Sequence, residues 1–221
     1  MGFFAVGGDA VDPYEVLNNY LYIMTNLEVE AKFQIDDLMA VRKRLLNHNA
    51  VLKKPRVYEK NTVYDDDQQS LKNSFRLIRL RQDEKIKLTF KGAPPVGTAV
   101  SEAKVREEIE LEISDFKKME QIIGRLGYRP VIVYEKYRET FQIDEVEVVL
   151  DELPYGNFVE LEGSEVAIKS LAKKIEIDWG KRINTNYLML LEKVKVAYNL
   201  DFLDLTFDNF SGVEVDWNQV E

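Results

Sequence analysis

The chain contains no cysteine and a single histidine, His48, among its 221 residues. Without cysteine, disulfide bonds and thiolate metal sites are excluded. His48 falls at the end of a predicted helix, where a surface or capping residue is expected, and one histidine cannot build a zinc site by itself. A metal bound by this chain is therefore expected to have oxygen ligands, which favour Mg²⁺, Mn²⁺ or Ca²⁺ over zinc or copper.

Long apolar runs are also missing. The sequence has no stretch of about 18 apolar residues, so no transmembrane helix is expected. The first residues lack the basic region and cleavage site of a secretory signal, and Val6 stands where a myristoylation motif requires Ser or Thr. We therefore expect a cytoplasmic protein with no membrane partner.

Basic residues are outnumbered by acidic ones. The chain has 30 Lys and Arg against 39 Asp and Glu, which gives a formal net charge of −9. Because non-specific nucleic-acid binding requires a basic surface, we expect no nucleic-acid partner. The hydrophobic content of 45% is enough for one large domain, as a monomer or a homodimer.

The domain organisation predicted from composition has two parts. Residues 1–23 differ from the rest and are interpreted as an N-terminal extension: an upstream mis-start, a cloning remnant or a short packing helix. Residues 24–221 are expected to form one domain. Its tail, from Asn199 onward, is acidic but contains regularly placed Leu and Phe, which is typical of a segment that covers the body of a domain.

The most informative stretch is 27–33, L-E-V-E-A-K-F, in which residues alternate strictly. In a β-strand, Glu28, Glu30 and Lys32 would share one face and the apolar residues the other. Two carboxylates and an ammonium in a row suit a metal ion held beside a phosphate chain. The alternative is an amphipathic strand whose polar face meets solvent.

Similar alternation recurs along the chain and predicts eight strands and about four helices. The predicted strands are 27–33, 56–64, 75–82, 85–91, 103–113, 130–142, 145–151 and 157–162. Helices are expected to begin at Asp36-Asp37, Ser114, Ser164 and about Thr185, and Asp65–Asp67 to form a solvated turn. Hairpin connections dominate, so we predict an α+β fold: an eight-stranded antiparallel β-barrel with helices packed outside.

Charge on the polar strand faces is segregated. Basic side chains crowd the hairpin of strands 75–82 and 85–91, whereas acidic side chains occupy other strands. Facing water, such dense like charges would only repel, although lysines also protect exposed sheet edges. Facing a closed lumen, the acidic wall would bind divalent cations, and the cations and basic wall together would hold a polyanion.

Six segments in order resemble the CYTH superfamily, the triphosphate tunnel metalloenzymes. Glu28-x-Glu30-x-Lys32 resembles its E-x-E-x-K signature. The other five are similar to its remaining strands: Ile78-Arg79-Leu80-Arg81, Lys87-Leu88-Thr89-Phe90-Lys91-Gly92, Arg106-Glu107-Glu108-Ile109-Glu110, Lys136-x-Arg138, and Val149-Leu150-Asp151 followed by Gly156-Asn157-Phe158-Val159-Glu160-Leu161-Glu162. The resemblance extends from Leu27 to about Tyr187. It implies an eight-stranded tunnel open at both ends.

The resemblance also implies roles for individual residues. Glu28, Glu30 and Lys32 would form the catalytic strand. The implied metal ligands, for Mg²⁺ or Mn²⁺, are Glu28, Glu30, Glu108, Glu110, Asp151, Glu160 and Glu162. The implied phosphate-binding residues are Lys32, Arg79, Arg81, Lys87, Lys91, Arg106, Lys136 and Arg138.

The function that the resemblance implies is a metal-dependent triphosphatase acting on inorganic triphosphate or nucleoside triphosphates. A class IV adenylate cyclase, which converts ATP to cyclic AMP and diphosphate, is the alternative. A third possibility is a non-catalytic module that binds triphosphate or polyphosphate. In each case the partner is a small molecule that contains a triphosphate, such as tripolyphosphate or ATP. The family often has a serine before a tyrosine near the C-terminus, where this chain has Asn186-Tyr187.

Overall fold

A computed structural model describes residues 26–98 and 100–220 of the chain. The predicted N-terminal extension, residues 1–23, lies outside the described residues. The strands are β1 (Leu27–Gln34), β2 (Val51–Asp65), β3 (Leu77–Gln82), β4 (Ile86–Gly92), β5 (Lys104–Ile113), β6 (Arg129–Ile143), β7 (Val146–Leu153) and β8 (Gly156–Glu162). The α-helices are α1 (Leu38–Asn47), α2 (Ser70–Asn73), α3 (Phe116–Arg125), α4 (Glu165–Lys174) and α5 (Tyr187–Tyr198).

The strands form a closed barrel in the order β1-β5-β4-β3-β2-β6-β7-β8, and every neighbouring pair is antiparallel. This confirms the predicted fold class. Closure removes the free edges that an open sheet of this size would expose. Among the α-helices of the described residues, the single turn α2 is the one that the sequence did not predict. None of the described helices is long and apolar enough to cross a membrane.

Alternation along the strands separates two environments. The outward residues Ala31 and Phe33 of β1 are buried in an apolar cluster that also contains Val41 of α1 and Ile168 of α4. Because side chains alternate along a strand, the intervening charged residues point into the barrel. The largest apolar cluster of the described residues therefore lies outside the barrel, between sheet and helices, and much of the lumen is left for polar side chains.

Helix capping follows the sequence with two corrections. Asp37 and Ser164 cap α1 and α4 as predicted. Helix α3 is capped by Asp115, which accepts the N–H of Lys118, and the prediction of Ser114 was wrong by one residue. The predicted solvated turn at Asp65 was also wrong, because its carboxylate is buried and accepts the backbone N–H groups of the α2 turn.

Helix α5 covers one end of the barrel. Lumen-facing apolar residues at this end, including Val63 of β2 and Phe158 of β8, share one cluster with Leu190 and Leu191 of α5. The resemblance implied a tunnel open at both ends, and the structure differs here. The physical reason is that the lumen lining changes from charged to apolar at this end, and the apolar face of α5 buries it.

The tail after α5 completes this cover. Leu205 is hydrogen-bonded through its backbone to Val133 and Glu135 of β6, each bond 2.9 Å long, along a part of β6 that β7 does not reach. Farther on, the indole N–H of Trp217 donates to the carbonyl of Tyr155 over 3.1 Å. A Cβ on Gly156 would lie 2.6 Å from that indole nitrogen, so only glycine fits beneath the ring.

Truncating the tail's central anchor is expected to destabilise the protein. Leu205 is 0% exposed and Leu203, two residues earlier, is 69% exposed. We expect Leu205→Ala to lower the free energy of unfolding by about 2–5 kcal/mol, as for other buried leucines. Urea unfolding measures this. The matched control Leu203→Ala should stay within about 0.5 kcal/mol of wild type, and equal losses would contradict the docking of the tail.

Candidate metal and phosphate site

The three charged residues of β1 lie inside the barrel. Glu28, Glu30 and Lys32 are 8%, 7% and 3% exposed. A face that met solvent would be far more accessible, so this burial favours the lumen over the solvent-facing alternative. Buried charges are costly unless they are paired, and each of these three residues is paired.

An acidic wall runs along β1, β5 and β8. On this wall the ammonium of Lys91, from β4, lies between two carboxylates, 2.7 Å from Oε2 of Glu28 and 2.8 Å from Oε2 of Glu108. Next to it, Lys104 of β5 forms an ion pair with Glu30, its cross-strand neighbour. Lysine ammonium groups thus neutralise the predicted metal-binding carboxylates of β1.

Glu162 marks the most acidic part of this wall. It is the cross-strand neighbour of Glu30 on β1 and of Glu147 on β7. Its side chain is reached by solvent, yet its pKa is raised to about 8. The larger cause is enclosure by the barrel wall, and the second is the negative charge of Glu28, Glu147 and Glu108. Carboxylates this close together repel one another, and a bound cation would relieve that repulsion.

The basic wall begins on β3 and β4. The Arg79 guanidinium donates to the hydroxyl of Tyr134 over 2.9 Å and to that of Thr89 over 3.1 Å. Glu110 accepts from Arg81 at 3.2 Å and from Lys87 at 2.5 Å. Burial opposes ionisation of Glu110, but Arg81, Lys87 and Arg79 lower its pKa to about 2. Glu110 therefore serves the basic wall as a counterion.

The second half of the basic wall is centred on Asp151, which is 0% exposed. Its carboxylate accepts from Lys136 at 3.0 Å, from Arg138 at 2.5 and 2.6 Å, and from the hydroxyl of Tyr187 at 2.8 Å. The Nη2 of Arg138 also forms an ion pair with Oε2 of Glu160, 2.7 Å away. Since both oxygens of Asp151 are already engaged by three partners, the geometry favours a role in orienting the two cations over one as a metal ligand.

Lys32 connects the two walls. Its Nζ lies 3.1 Å from Oε1 of Glu160 and 4.0 Å from the ring centroid of Tyr187. Burial alone would lower its pKa, yet the charges of Glu160 and Glu30 raise it above the ordinary lysine value. Lys32 therefore remains an ammonium in the lumen, available to an anion.

One predicted phosphate-binding residue is engaged elsewhere. Arg106 donates to the carbonyl of Phe75 over 2.9 Å and to that of Gly92 over 3.3 Å, so its guanidinium braces loop backbone. The other predicted site residues line the two walls just described. Their roles as ligands stay predictions, because the structure gives their positions and not their partners in a complex.

Sequence reasoning missed several lumen residues: Glu59 and Asn61 of β2, Tyr134 of β6 and Glu147 of β7. Lys104 of β5 was placed on the polar face of its strand but was given no role in the site. Glu59 and Asn61 do alternate with Tyr58 and Lys60, so the period of two was a usable signal. It was not used because β2 carries no segregated charge. The structure shows both side chains buried, which identifies the face.

The donor chemistry of the acidic wall fits a hard divalent cation. In residues 26–98 and 100–220, no group of three or more acidic or histidine side chains is arranged so that it could hold a metal ion. The reason is visible in the ion pairs: Lys91 and Lys104 hold the carboxylates of Glu28, Glu108 and Glu30. A divalent cation among these oxygens would replace the lysine ammonium groups as counterion.

An eight-stranded antiparallel barrel with an acidic and a basic wall is the architecture that the motifs predicted, and the family comparison agrees. A model of the CYTH domain matches residues 26–186. The chain belongs to the CYTH family. All of α5 and the whole covering tail lie beyond the matched residues.

The chain is also similar to individual proteins, one by sequence and two by structure. A Methanocaldococcus jannaschii protein named "Putative adenylate cyclase" is 31% identical over 154 residues, which cover 68% of this chain and 84% of that protein. A Vibrio parahaemolyticus structure described as a "putative adenylate cyclase" has a TM-score of 0.67 at 18% identity, covering 76% of this chain and 98% of its own. A Hippeastrum structure, described as a "putative adenylyl cyclase" with dominant triphosphatase activity, has a TM-score of 0.55 at 18% identity and covers 75% and 95%. These two structures show the fold alone.

The importance of the Asp151 carboxylate, which accepts hydrogen bonds from Lys136, Arg138 and Tyr187, can be tested by comparison with Glu152, the next residue. We expect Asp151→Asn to lower the free energy of unfolding by about 3–5 kcal/mol, because it removes the buried carboxylate that Lys136 and Arg138 share. The control is Glu152→Gln, whose partner Arg56 is half exposed and whose loss should cost about 1 kcal/mol or less. Urea unfolding measures both variants, and equal losses of unfolding free energy would contradict the importance of the Asp151 carboxylate.

Proposed function

We propose that the protein is a divalent-metal-dependent triphosphatase that hydrolyses inorganic triphosphate or nucleoside triphosphates inside its charged barrel. The observation that carries the proposal is the opposition of the two walls within one lumen. Carboxylates on β1, β5 and β8 face guanidinium and ammonium groups on β3, β4 and β6. A polyanion that brings its own divalent cations is the ligand that satisfies both walls at once.

The residues of the basic wall would grip the phosphate chain. Arg79, Arg81 and Arg138 offer planar forks for bidentate contact with phosphate oxygens, while Lys136 and Lys32 supply compact charge for the leaving diphosphate. Their present partners are carboxylates and hydroxyls, which a phosphate chain would replace with stronger acceptors. Since phosphoryl transfer depends mainly on positioning and electrostatic stabilisation, such a wall supplies much of what the reaction requires.

The acidic wall would hold the metal. Glu28, Glu30, Glu108 and Glu162 are the predicted ligands that lie together on this wall, with Glu147 at its edge. A divalent ion bound there supplies Lewis acidity toward phosphate oxygens. Lys91 and Lys104 would give up their carboxylates when the ion and its triphosphate arrive, and would then be free to contact phosphate.

Adenylate cyclase is the second candidate, favoured by the name of the 31% identical relative. Both reactions use the same charged lumen and differ in the phosphorus that is attacked. Hydrolysis requires only water as the nucleophile, whereas cyclisation requires a site that orients the adenosine. The description of the Hippeastrum protein, whose fold is similar, supports a triphosphatase as the first candidate.

Product analysis separates the two candidates. The protein is incubated with tripolyphosphate and with ATP, each with Mg²⁺ or Mn²⁺, and the products are resolved by ion-exchange chromatography. We expect orthophosphate and diphosphate from tripolyphosphate, loss of turnover with a chelator and recovery when the metal is restored. Cyclic AMP and diphosphate from ATP would instead establish the cyclase, and tight binding without turnover a binding module.

The catalytic strand is tested by a double substitution. We expect Glu28→Gln with Glu30→Gln to abolish metal-dependent turnover, because the amides cannot replace two anionic oxygen ligands. The barrel should persist, which circular dichroism and thermal unfolding measure. The control removes two outward carboxylates, Glu139→Gln with Glu152→Gln, and should keep its activity. Unchanged turnover in the Glu28 and Glu30 variant would remove the proposed metal site.

A further inference from the structure

Strand β2 contributes two polar side chains to the basic wall that none of the motifs includes. Glu59 is the cross-strand neighbour of Lys136 on β6, and Asn61 is that of Arg81 on β3 and Tyr134 on β6. The carboxylates of Glu110 and Asp151 in this wall accept hydrogen bonds from its cations, whereas Glu59 and Asn61 are not engaged in this way. Their presence suggests a second kind of ligand group beside the phosphate chain.

Both side chains have polar atoms without a partner. Asn61 is 0% exposed, and neither Oδ1 nor Nδ2 forms a hydrogen bond. Glu59 is 1% exposed, and its Oε2 is also without a hydrogen bond. The nearest cations are the Nη1 of Arg81, 3.8 Å from Oε1, and the Nζ of Lys136, 3.7 Å from Oε2, both beyond hydrogen-bonding distance. Buried polar groups normally have partners, so these atoms point to a bound group.

The chemistry of Glu59 and Asn61 indicates which kind of group they would bind. Burial opposes ionisation of Glu59, but Lys136, Arg138 and Arg81 lower its pKa, so its carboxylate accepts hydrogen bonds and donates none. An ionised carboxylate repels phosphate oxygens, which excludes phosphate itself as its partner. The group must carry an O–H or N–H, and Arg81 and Lys136 would hold a phosphate next to it.

We propose that Glu59 and Asn61 are positioning residues that hold the attacking water beside the terminal phosphate. This inference rests on the proposed hydrolysis. Glu59 accepts one O–H of the water, and the amide of Asn61 fixes its orientation. The water oxygen forms a bond to the terminal phosphorus, and the bond from phosphorus to the bridging oxygen breaks, its electron pair leaving with diphosphate.

The protons of the water leave on the orthophosphate product, so Glu59 takes no proton. A role for Glu59 in orienting the water, without taking its proton, agrees with a loose transition state, in which orientation of the nucleophile matters more than proton removal. Glu59 then differs from a mere counterion in a measurable way. Removing its charge should favour binding of the anion while it slows the reaction.

The first test is Glu59→Gln, with Glu59→Asp as the conservative variant. We expect the kcat for tripolyphosphate to fall about 100-fold in Glu59→Gln, the loss typical of a misplaced reactant, and less in Glu59→Asp. The KM should stay equal or fall. Calorimetric titration with tripolyphosphate in the absence of metal should show equal or tighter binding. Glu139→Gln, which removes an outward carboxylate paired with Arg42, is the matched control and should change neither quantity.

The second test is Asn61→Leu, which removes the unpartnered amide at nearly constant size. We expect the Tm to rise, because a buried amide without partners is destabilising, and the kcat to fall. A residue needed only for the fold would not raise the Tm when replaced. This variant also decides the question if Glu59→Gln does not fold.

Two results would overturn the inference while the proposed function stands. One is orthophosphate release by wild type together with wild-type kcat values in both variants. The other is a raised KM with unchanged kcat, which would make the pair substrate-binding residues. If wild type releases no orthophosphate from tripolyphosphate with either metal, the proposed function fails and this inference falls with it.

Discussion

Mutual neutralisation of charges inside a closed barrel is the constraint on which the rest of this structure depends. A lumen lined by carboxylates alone or by guanidinium groups alone would carry a severe electrostatic cost, because water and salt screen charges poorly there. The chain solves this by joining opposite charges from different strands, as in the pairs of Lys91 with Glu28 and Arg138 with Asp151. Each such pair gives a buried charge its counterion within the barrel itself.

Asp151 shows how the fold and the site depend on each other. Its carboxylate joins two cations of the basic wall to the hydroxyl of Tyr187, the first residue of α5. The carbonyl of Tyr187 in turn accepts from the hydroxyl of Tyr155, in the turn before β8. The helix that covers one end of the barrel is therefore connected, through the carboxylate of Asp151, to two residues expected to bind phosphate. Where the family pattern often has a serine before the tyrosine, Asn186 instead provides the helix cap.

Much of this architecture could be predicted from sequence because the period-two pattern and the segregation of charge are local properties. They gave the eight strands, the barrel and the inward face of β1. The partners of each charge could not be predicted, since they depend on cross-strand register. Asp151 looked like one more acidic ligand, and only the register with Arg138 and Lys136 on β6 shows it among cations. Glu59 and Asn61 were missed because β2 has mixed charges, and the cover formed by α5 was missed because apolar helix faces do not reveal what they pack against.

The polar lumen also has a consequence for how the chain reaches this structure. β1 precedes its neighbours β5 and β8 by many residues, so the barrel cannot close before β8 has been synthesised. An open sheet with two apolar faces would be prone to pair with other chains during that time. Here much of the lumen face is charged, and the paired charges of Lys91 and Lys104 with their carboxylates would make pairing with other chains less favourable. The residues proposed to bind a triphosphate and its metal would therefore also disfavour aggregation of the unfinished barrel.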